Sequence, residues 1–183
     1  MKILMSRFEF LTAYNRAKAF TASSGQRDSL RLIHCKLHPA REKLIFVALD
    51  GQKLYDGAVP CVCFEDDEHD RFTLPDDLRI QNKGGDIAIT VELGHIVISD
   101  GVFSQTIQRD SSLFLTQRLD DFAPKDQPMF TMRFNTRHLA DAVKAFGKDA
   151  PIRIDFFAEN EGIVITGEQQ GDHALVLPLY KSH

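Results

Sequence analysis

Two histidines, His34 and His38, stand four residues apart in the stretch HCKLH. On a helix this spacing would place both imidazoles on one face, where they could bind a metal ion such as zinc. The residues around them alternate instead between two sets, which is the pattern of a β-strand. We therefore expect two solvent-facing histidines rather than a pair of metal ligands.

The other reactive side chains form no recognisable catalytic arrangement. Cys61 and Cys63 lie too close together to anchor a disulfide framework, and three is an odd number of cysteines, which favours buried structural thiols in a reducing cytoplasm. The acidic run EDDEHD, residues 65–70, lacks the glycine and spaced ligands of a calcium loop, so we expect an exposed acidic loop. Neither a phosphate-binding glycine motif nor a nucleophile–base spacing stands out. The sequence predicts a protein that is not an enzyme and has no cofactor.

The composition is that of an ordinary globular protein. The chain has 183 residues, enough for one domain or two small ones, with 43% hydrophobic and 26% charged residues. No apolar run approaches the roughly 18 residues of a membrane span. The stretch MKILMSRFEF lacks the apolar region of a secretory signal. These features predict a cytoplasmic location.

The order strand, helix, three strands occurs three times along the chain. Residue identities are not repeated, so we predict a structural repeat from the order of elements alone. The crossover from strand to helix is too short for a parallel βαβ unit, which predicts mostly antiparallel sheets. The predicted strands are 2–7, 30–37, 43–51, 53–64, 71–74, 86–93, 95–101, 102–109, 129–134, 151–158, 162–168 and 173–180.

Each repeat is predicted to contain one helix. The first runs from Phe8 to about Phe20, and a weak second helix is expected over 75–83. The third is opened by Asn135 as N-cap and ended by Gly147. The apolar stripes of the first and third helices are Phe10, Leu11, Tyr14 and Ala17, and Leu139, Ala142, Val143 and Phe146.

The net charge of −4 is unevenly distributed. Residues 7–20 and residues 135–148 each carry a net charge of +2, whereas residues 65–70 carry −5. A solvated helix face would explain one basic helix. Two similar helices in similar repeats make a shared basic surface an equally good explanation. The basic side chains of the two helices are Arg7, Arg16, Lys18, Arg137, Lys144 and Lys148.

The last repeat resembles the C-terminal half-domain of the bacterial DNA sliding clamp, the β subunit of DNA polymerase III. The match rests on Phe134 and Asn135 before a helix, and on the apolar-Pro-apolar tripeptide Leu177, Pro178 and Leu179 in the last strand. Together the matches cover nearly the whole chain. The other matching stretches are ALDGQKLYDGAVP (48–60), FTLP with the strands after it (72–99), and DDFAP (120–124).

The resemblance implies an α+β DNA-clamp fold of three βαβββ motifs, one and a half clamp domains, with mostly antiparallel sheets and helices on one face. Residues 1–118 would form a domain of two motifs, 119–128 a linker, and 129–183 a half-domain. Two departures stand out. The second helix is short and carries Asp76 and Asp77, so it would add less to a basic lining. The chain is also about half the family's length, which suggests a divergent plasmid or phage type.

The function that the resemblance implies is a non-enzymatic processivity ring. The basic side chains of the two helices would contact phosphates of duplex DNA without reading its sequence. The partners would be a DNA polymerase or repair protein and a clamp loader. Rings of this family hold twelve motifs, so three motifs per chain imply a homotetramer. Its third motif would complete a domain with its counterpart in another subunit through a two-fold contact.

In this family a partner's peptide inserts into an apolar pocket near the C-terminus. The matching residues are Leu175, Leu177, Pro178, Leu179 and Tyr180. For Leu175 and Leu177, a buried final strand is an equally good explanation. The alternative function is a clamp-fold interaction protein or regulator, one that binds replication proteins without encircling DNA.

Overall fold

The computed structural model describes residues 1–22, 28–38, 40, 42–50, 52–64, 70–80, 85–109, 128, 130–147, 150–158, 161–167 and 173–179. The chain forms two compact units, unit 1 (Met1–Ala123) and unit 2 (Pro124–His183). Of the predicted linker over 119–128, only Pro128 is among the described residues. No described helix is both long and apolar enough to cross a bilayer.

Motif 1, the first motif of unit 1, begins with a strand that passes directly into a helix. The single strand predicted over 53–64 is divided after Pro60, because β4 pairs with β3 whereas β5 pairs with β1. Its elements are β1 (Lys2–Ser6), α1 (Arg7–Lys18), a 3-10 turn (Asp28–Arg31), β2 (Leu32–Leu37), β3 (Lys43–Leu49), β4 (Leu54–Pro60) and β5 (Val62–Phe64).

Motif 2 follows with β6 (Arg71–Pro75), β7 (Asp86–Val91), β8 (His95–Ser99) and β9 (Ser104–Gln108). The helix predicted over 75–83 is wrong in its described part, since Pro75 ends β6 and no helix forms over 76–80. The Tyr14 hydroxyl donates to the Pro75 carbonyl at 2.6 Å and accepts from the Leu78 N–H at 2.9 Å. The turn after Pro75 is therefore held to α1 by two hydrogen bonds.

The two motifs of unit 1 exchange their first strands. One sheet has the order β4-β3-β2-β6 and the other β5-β1-β7-β8-β9. Hence β1 lies in the sheet that motif 2 builds, and β6 in the sheet of motif 1. All of the described strand pairs are antiparallel, which confirms the prediction.

The apolar face of α1 is buried in the core of unit 1. Phe10, Tyr14 and Ala17 are buried as predicted, and Leu11 is partly buried. The Phe10 ring stacks on the Tyr14 ring, with 5.9 Å between the ring centroids, and packs edge-on against the Phe46 ring, with 5.6 Å between the centroids. Burial raises the pKa of Tyr14 to about 12, so its hydroxyl keeps its proton at neutral pH.

Strand β2 is covered on both faces, so the prediction of two solvent-facing histidines is wrong for His34. This side chain is 1% exposed, and its Nε2 lies 2.9 Å from the carbonyl of Ser29 in the 3-10 turn. Burial lowers the pKa of His34, although the Ser29 carbonyl acts in the opposite direction. His38 is exposed, as expected. The alternation of residues along β2 did not indicate that the 3-10 turn would cover His34.

The described cysteines are all free thiols. Cys35 is fully buried, and burial raises its pKa. Cys61 and Cys63 were expected to be buried but are only half-buried against the core. Burial, together with the neighbouring Cys63, raises the pKa of Cys61 to about 11, so this thiol is protonated and unreactive at neutral pH.

Motif 3, in unit 2, contains α2 (Thr136–Lys144), β10 (Ile152–Asp155), β11 (Ile163–Gly167) and β12 (His173–Val176), with the sheet order β10-β11-β12. The Asn135 side chain accepts from the backbone N–H of Arg137 at 2.9 Å, which confirms the predicted N-cap. Gly147 has φ +98° and lies two residues after the C-cap Ala145. Its left-handed conformation is one that glycine adopts readily.

The strand predicted over 129–134 is not formed as a regular strand in its described part, 130–134. This segment nevertheless runs beside the end of the described chain, because the Leu179 N–H donates to the Arg133 carbonyl at 2.6 Å. The buried core of the described part of unit 2 is small and is formed by Ile163, Ile165 and Val176.

Candidate nucleic-acid interface

Helix α1 carries two exposed cations in its last turn, Arg16 and Lys18. They lie on the two sides of the helix that flank the buried Phe10 and Ala17. The helix dipole favours cations at this end. Glu9 is also exposed, in the first turn. These described side chains give the outer surface of α1 a net charge of +1.

Arg7 does not belong to this surface, and its prediction as a phosphate contact is corrected. It is 4% exposed, its Nη2 donates to the Asp100 carbonyl at 2.8 Å, and it lies 3.7 Å from the Asp100 carboxylate. Phe10 and Tyr14 follow Arg7 at i+3 and i+7, so Arg7 shares their buried stripe. Extending the apolar periodicity back by one turn would have indicated this burial. The exposed charge of the helix is one unit lower than predicted for the same reason.

The outer face of α2 presents Arg137 and Lys144, both exposed. The Nε of Arg137 lies 3.9 Å from the Asp141 carboxylate. An exposed ion pair of this length contributes little to stability, so it leaves the guanidinium available to another anion. The predicted Lys148 lies outside the described residues, four positions beyond the end of α2 at Lys144, so its contribution to this surface stays a prediction.

At the place of the second predicted helix, the structure adds no basic helix face over residues 76–80. Asp77 and Arg79 are exposed there, and Asp76 is half-buried. Two carboxylates and one guanidinium give this loop a net charge of −1. The basic helix faces of the described chain are therefore those of α1 and α2.

The end of unit 2 carries a row of exposed apolar side chains, the leucine row: Leu175, Leu177 and Leu179. Their exposed fractions are 62%, 62% and 54%, and alternate positions place them on one side of an extended chain. Val176 and Pro178, between them, are buried. The alternative of a buried final strand is thus wrong for Leu175 and Leu177. Tyr180 lies outside the described residues.

Unit 1 also contains a groove of about 530 Å³ that the sequence did not indicate. Leu78, Ile80, Ile98 and Phe103 provide its apolar lining, and Asp100 reaches its wall. No local pattern marks this groove, because its walls come from chain segments that only the folded sheet brings together.

Solved structures with a similar fold are bacterial DNA sliding clamps. The Bacillus subtilis DNA polymerase sliding clamp matches with a TM-score of 0.77 at 11% identity, over 97% of this chain and 49% of that chain. The Caulobacter crescentus polymerase III β matches with 0.69 at 12% identity, over 100% and 51%. The Helicobacter pylori β clamp bound to a DNA ligase peptide matches with 0.59 at 16% identity, over 97% and 56%. The chain has the sliding-clamp fold.

The predicted clamp fold is thereby confirmed, as mostly antiparallel sheets with few helices and roughly one and a half clamp domains. The chain spans about half the length of the clamps it matches. No family model and no curated protein matches its sequence. At identities this low the likeness is one of fold, and the activity of the longer clamps is a matter for proposal.

Proposed function

We propose that this chain is a non-enzymatic clamp subunit that encircles duplex DNA and tethers a DNA polymerase or repair protein to it. The observation that carries the proposal is the match of nearly the whole chain to clamps of bacterial DNA polymerases. The exposed cations on α1 and α2 support it, because a DNA channel requires positive charge on its lining.

The phosphate contacts are proposed for Arg16, Lys18, Arg137 and Lys144, with Lys148 added from the sequence. Long flexible cations on a helix surface attract phosphates of any sequence, and such non-specific contacts allow a protein to slide. Encirclement, rather than affinity, would then retain the protein on DNA. The net charge of −4 is compatible with this because α1 and α2 each contain a single acidic residue, Glu9 and Asp141, and the other acidic residues lie outside these helices.

The proposed ring contains four chains, since three motifs in each chain give the twelve motifs of a clamp ring. A clamp loader would be needed to open it around DNA. Light scattering should give a mass near four times 20.7 kDa. A mass of two or three chains would contradict the tetramer.

The leucine row, with the buried Pro178 and the predicted Tyr180, is proposed as the docking surface for a short apolar peptide of a polymerase or repair partner. Contiguous exposed apolar surface of this kind is typical of interaction sites. The similar Helicobacter pylori clamp was solved with a DNA ligase peptide, which supports peptide docking on this fold. The substitution Leu177→Asp should weaken capture of such a peptide without unfolding unit 2, because Leu177 is already 62% exposed.

Encirclement is tested by comparing retention on a closed circular DNA with retention on the same DNA after linearisation. A ring stays on the circle and leaves through free ends. Equal retention on both would indicate simple binding and contradict the ring.

The basic faces are tested by Lys144→Glu, with Lys43→Glu as a matched control on the exposed start of β3. Each lost phosphate contact should reduce the slope of log affinity against log salt by about 0.9. The control should leave the slope unchanged. An unchanged slope for Lys144→Glu would remove this residue from the proposed lining.

A second candidate function is a clamp-fold regulator that binds replication proteins without encircling DNA. The exposed leucine row favours it. Absence of retention on either DNA, together with binding of a polymerase peptide that Leu177→Asp abolishes, would select this alternative.

A further inference from the structure

Motif 3 repeats the geometry of motif 1 at its first strand and helix. Leu4 stands three residues before the start of α1 and pairs with Val62 of β5. Arg133 stands three residues before the start of α2 and bonds to Leu179. The two segments therefore occupy the same place in the two motifs, and residues counted from the helix starts correspond.

The sheets of the two motifs also agree in register. In motif 1, the residue of β3 that pairs with Ala58 of β4 also pairs with Lys36 of β2. In motif 3, the residue of β11 that pairs with Leu175 of β12 also pairs with Asp155 of β10. Each residue of β2 therefore has a defined counterpart in or just after β10.

Positions that are buried in motif 1 are apolar but uncovered in motif 3. The buried apolar residues of α1 and β2 in motif 1 are Phe10, Ala13, Tyr14 and Ala17 on α1, and Ile33, Cys35 and Leu37 on β2. Their counterparts in motif 3 are Leu139, Ala142, Val143 and Phe146 on α2, and Ile152, Ile154 and Phe156 on or beside β10. None of these counterparts is buried, and Ile154 and Phe156 are 38% and 53% exposed. Motif 3 thus has the core face of a clamp domain without its cover.

In unit 1 the corresponding face is covered by motif 2. Ile3 of β1 lies opposite Ile89 of β7, and Cys35 of β2 lies opposite Phe72 of β6. The first strand of each motif therefore pairs with the strand after the helix position in the other. In the described part of motif 3, β10 pairs with β11 alone, and the strand-to-strand bond of 130–134 goes to the end of its own motif. Among the described residues, no strand pairs with either of the two edges that motif 2 fills in unit 1.

We propose that the third motif of a second copy of this chain fills both edges and completes a clamp domain. Each copy of motif 3 has a first segment, 130–134, and a strand β10 with a free edge. In a two-fold pair, the first segment of each copy therefore pairs with β10 of the other, and the same contact forms twice. Motifs 1 and 2 are unsuitable occupants because their corresponding edges are already paired with each other. Transferring the unit 1 register places Met132 of one copy opposite Ile154 of the other. It also places Phe134 opposite Ile152.

On the outer surface of this joint sheet, Arg133 of one copy faces Arg153 of the other, a like-charge pair that is unfavourable. Asp155, whose carboxylate accepts from Arg153 at 2.8 Å, lies diagonally across from Arg133 and offsets part of this repulsion. The leucine row stays free, since its counterparts in the closed domain include the exposed Ala58 and Val62. Chains of the proposed ring would meet at this contact. The contact is inferred from the exposed apolar face and the strand register of motif 3, and it can be tested separately from DNA binding.

The register is tested by the double variant Arg133→Cys with Arg153→Cys, both exposed positions of the chain. Paired residues across a sheet lie within disulfide reach, so mild oxidation should convert most of the protein to a covalent dimer of twice the mass on a non-reducing gel. Each single variant shows the background from the native thiols. Arg153→Cys with Lys144→Cys is the control for a pair outside the register. No more dimer than these controls form would overturn the proposed pairing.

A second measurement is the solution mass by sedimentation at concentrations from about 1 to 100 µM, which populates an assembly whose dissociation constant is about 1 µM or lower. Phe156→Asp should shift the protein to half the mass of the wild-type assembly or less. Leu177→Asp, at a comparably exposed position outside the contact, should leave the mass unchanged. A wild-type mass of one chain at all concentrations would overturn the inference, as would a mass that Phe156→Asp does not alter.

The DNA experiment separates this inference from the proposed function. A register-specific dimer that is not retained on circular DNA would keep the interface and remove the ring. If the protein is retained on circular DNA but the Arg133→Cys, Arg153→Cys variant forms no specific cross-link, the clamp function would stand and this interface would be rejected.

Discussion

Gly167 and Phe146 compete for one small space in unit 2, and this competition can be measured. A Cβ added at Gly167 would lie 2.7 Å from Cδ1 of Phe146, closer than carbon atoms normally approach. In motif 1, the counterparts of Phe146 and Gly167 are Ala17 and Ala48, both fully buried. The two motifs thus use two small residues in one case and a ring with a glycine in the other.

The expected effect of Gly167→Ala changes sign with the residue at position 146. Overpacking costs about 1–3 kcal/mol, and removing a glycine from a strand gains about 0.5–1 kcal/mol. Since the half-buried Phe146 ring can partly move aside, the net destabilisation of unit 2 should be about 0.5–2 kcal/mol. In a Phe146→Ala background there is no ring to meet, and the same change should stabilise by about 0.5–1 kcal/mol.

The readout is hydrogen exchange of the α2 backbone, because an unfolding curve of the whole chain would mix its two units. A change of about 1.4 kcal/mol alters protection tenfold. Gly94→Ala in unit 1 is the control, since an added Cβ there meets no atom within 4 Å. If Gly167→Ala lowered protection equally with and without the Phe146 ring, the shared space would not exist.

Three further changes test single interactions. The pKa of His34 is lowered by burial, so between that lowered value and about 6.5 the unfolded chain binds more protons and unit 1 loses stability as the pH falls. His34→Gln should flatten this loss, measured as the protection of unit 1 amides against hydrogen exchange at pH 7 and pH 5, and an unchanged pH dependence would contradict it. Tyr14→Phe removes both bonds that hold the turn after β6 and should lower the stability of unit 1 by about 1–2 kcal/mol, measured by hydrogen exchange of the α1 backbone. Unchanged protection would mean that these bonds contribute nothing net. Asn135→Ala should cost α2 about 1 kcal/mol of protection against hydrogen exchange, whereas Asn135→Asp should retain it. Equal protection in the two variants would argue against the cap.

Most of the order of elements, the antiparallel sheets and the apolar stripe of α1 could be predicted because local sequence periodicity determines them. The exceptions are the helix after Pro75 and the strand before Asn135. Phe10 and Tyr14 are one turn apart, and alternation over His95–Ser99 matches a strand buried on one face. The N-cap Asn135 was predicted from residue type and position alone. Local pattern was sufficient where neighbours in sequence decide the structure.

The errors arose where residues distant in sequence decide the local structure. Arg7 is buried by Asp100, and the helix expected after Pro75 is replaced by a turn bonded to Tyr14. His34 is covered by a turn that alternation along β2 does not reveal. Among the residues proposed to contact DNA, the exposure of Arg16 and its counterparts on α2 is established, while their contact with DNA stays a prediction.

The exchange of first strands also sets a condition on synthesis. β1 pairs with β7 through residues as far along the chain as Thr90, although β5 can join it earlier, at Val62. During synthesis on the ribosome, one edge of the apolar β1 therefore stays unpaired until β7 has been translated. Such a strand is an aggregation hazard, and its non-local pairing predicts slow folding. Neither motif of unit 1 can complete its sheet alone, so the two should fold as one cooperative unit late in translation.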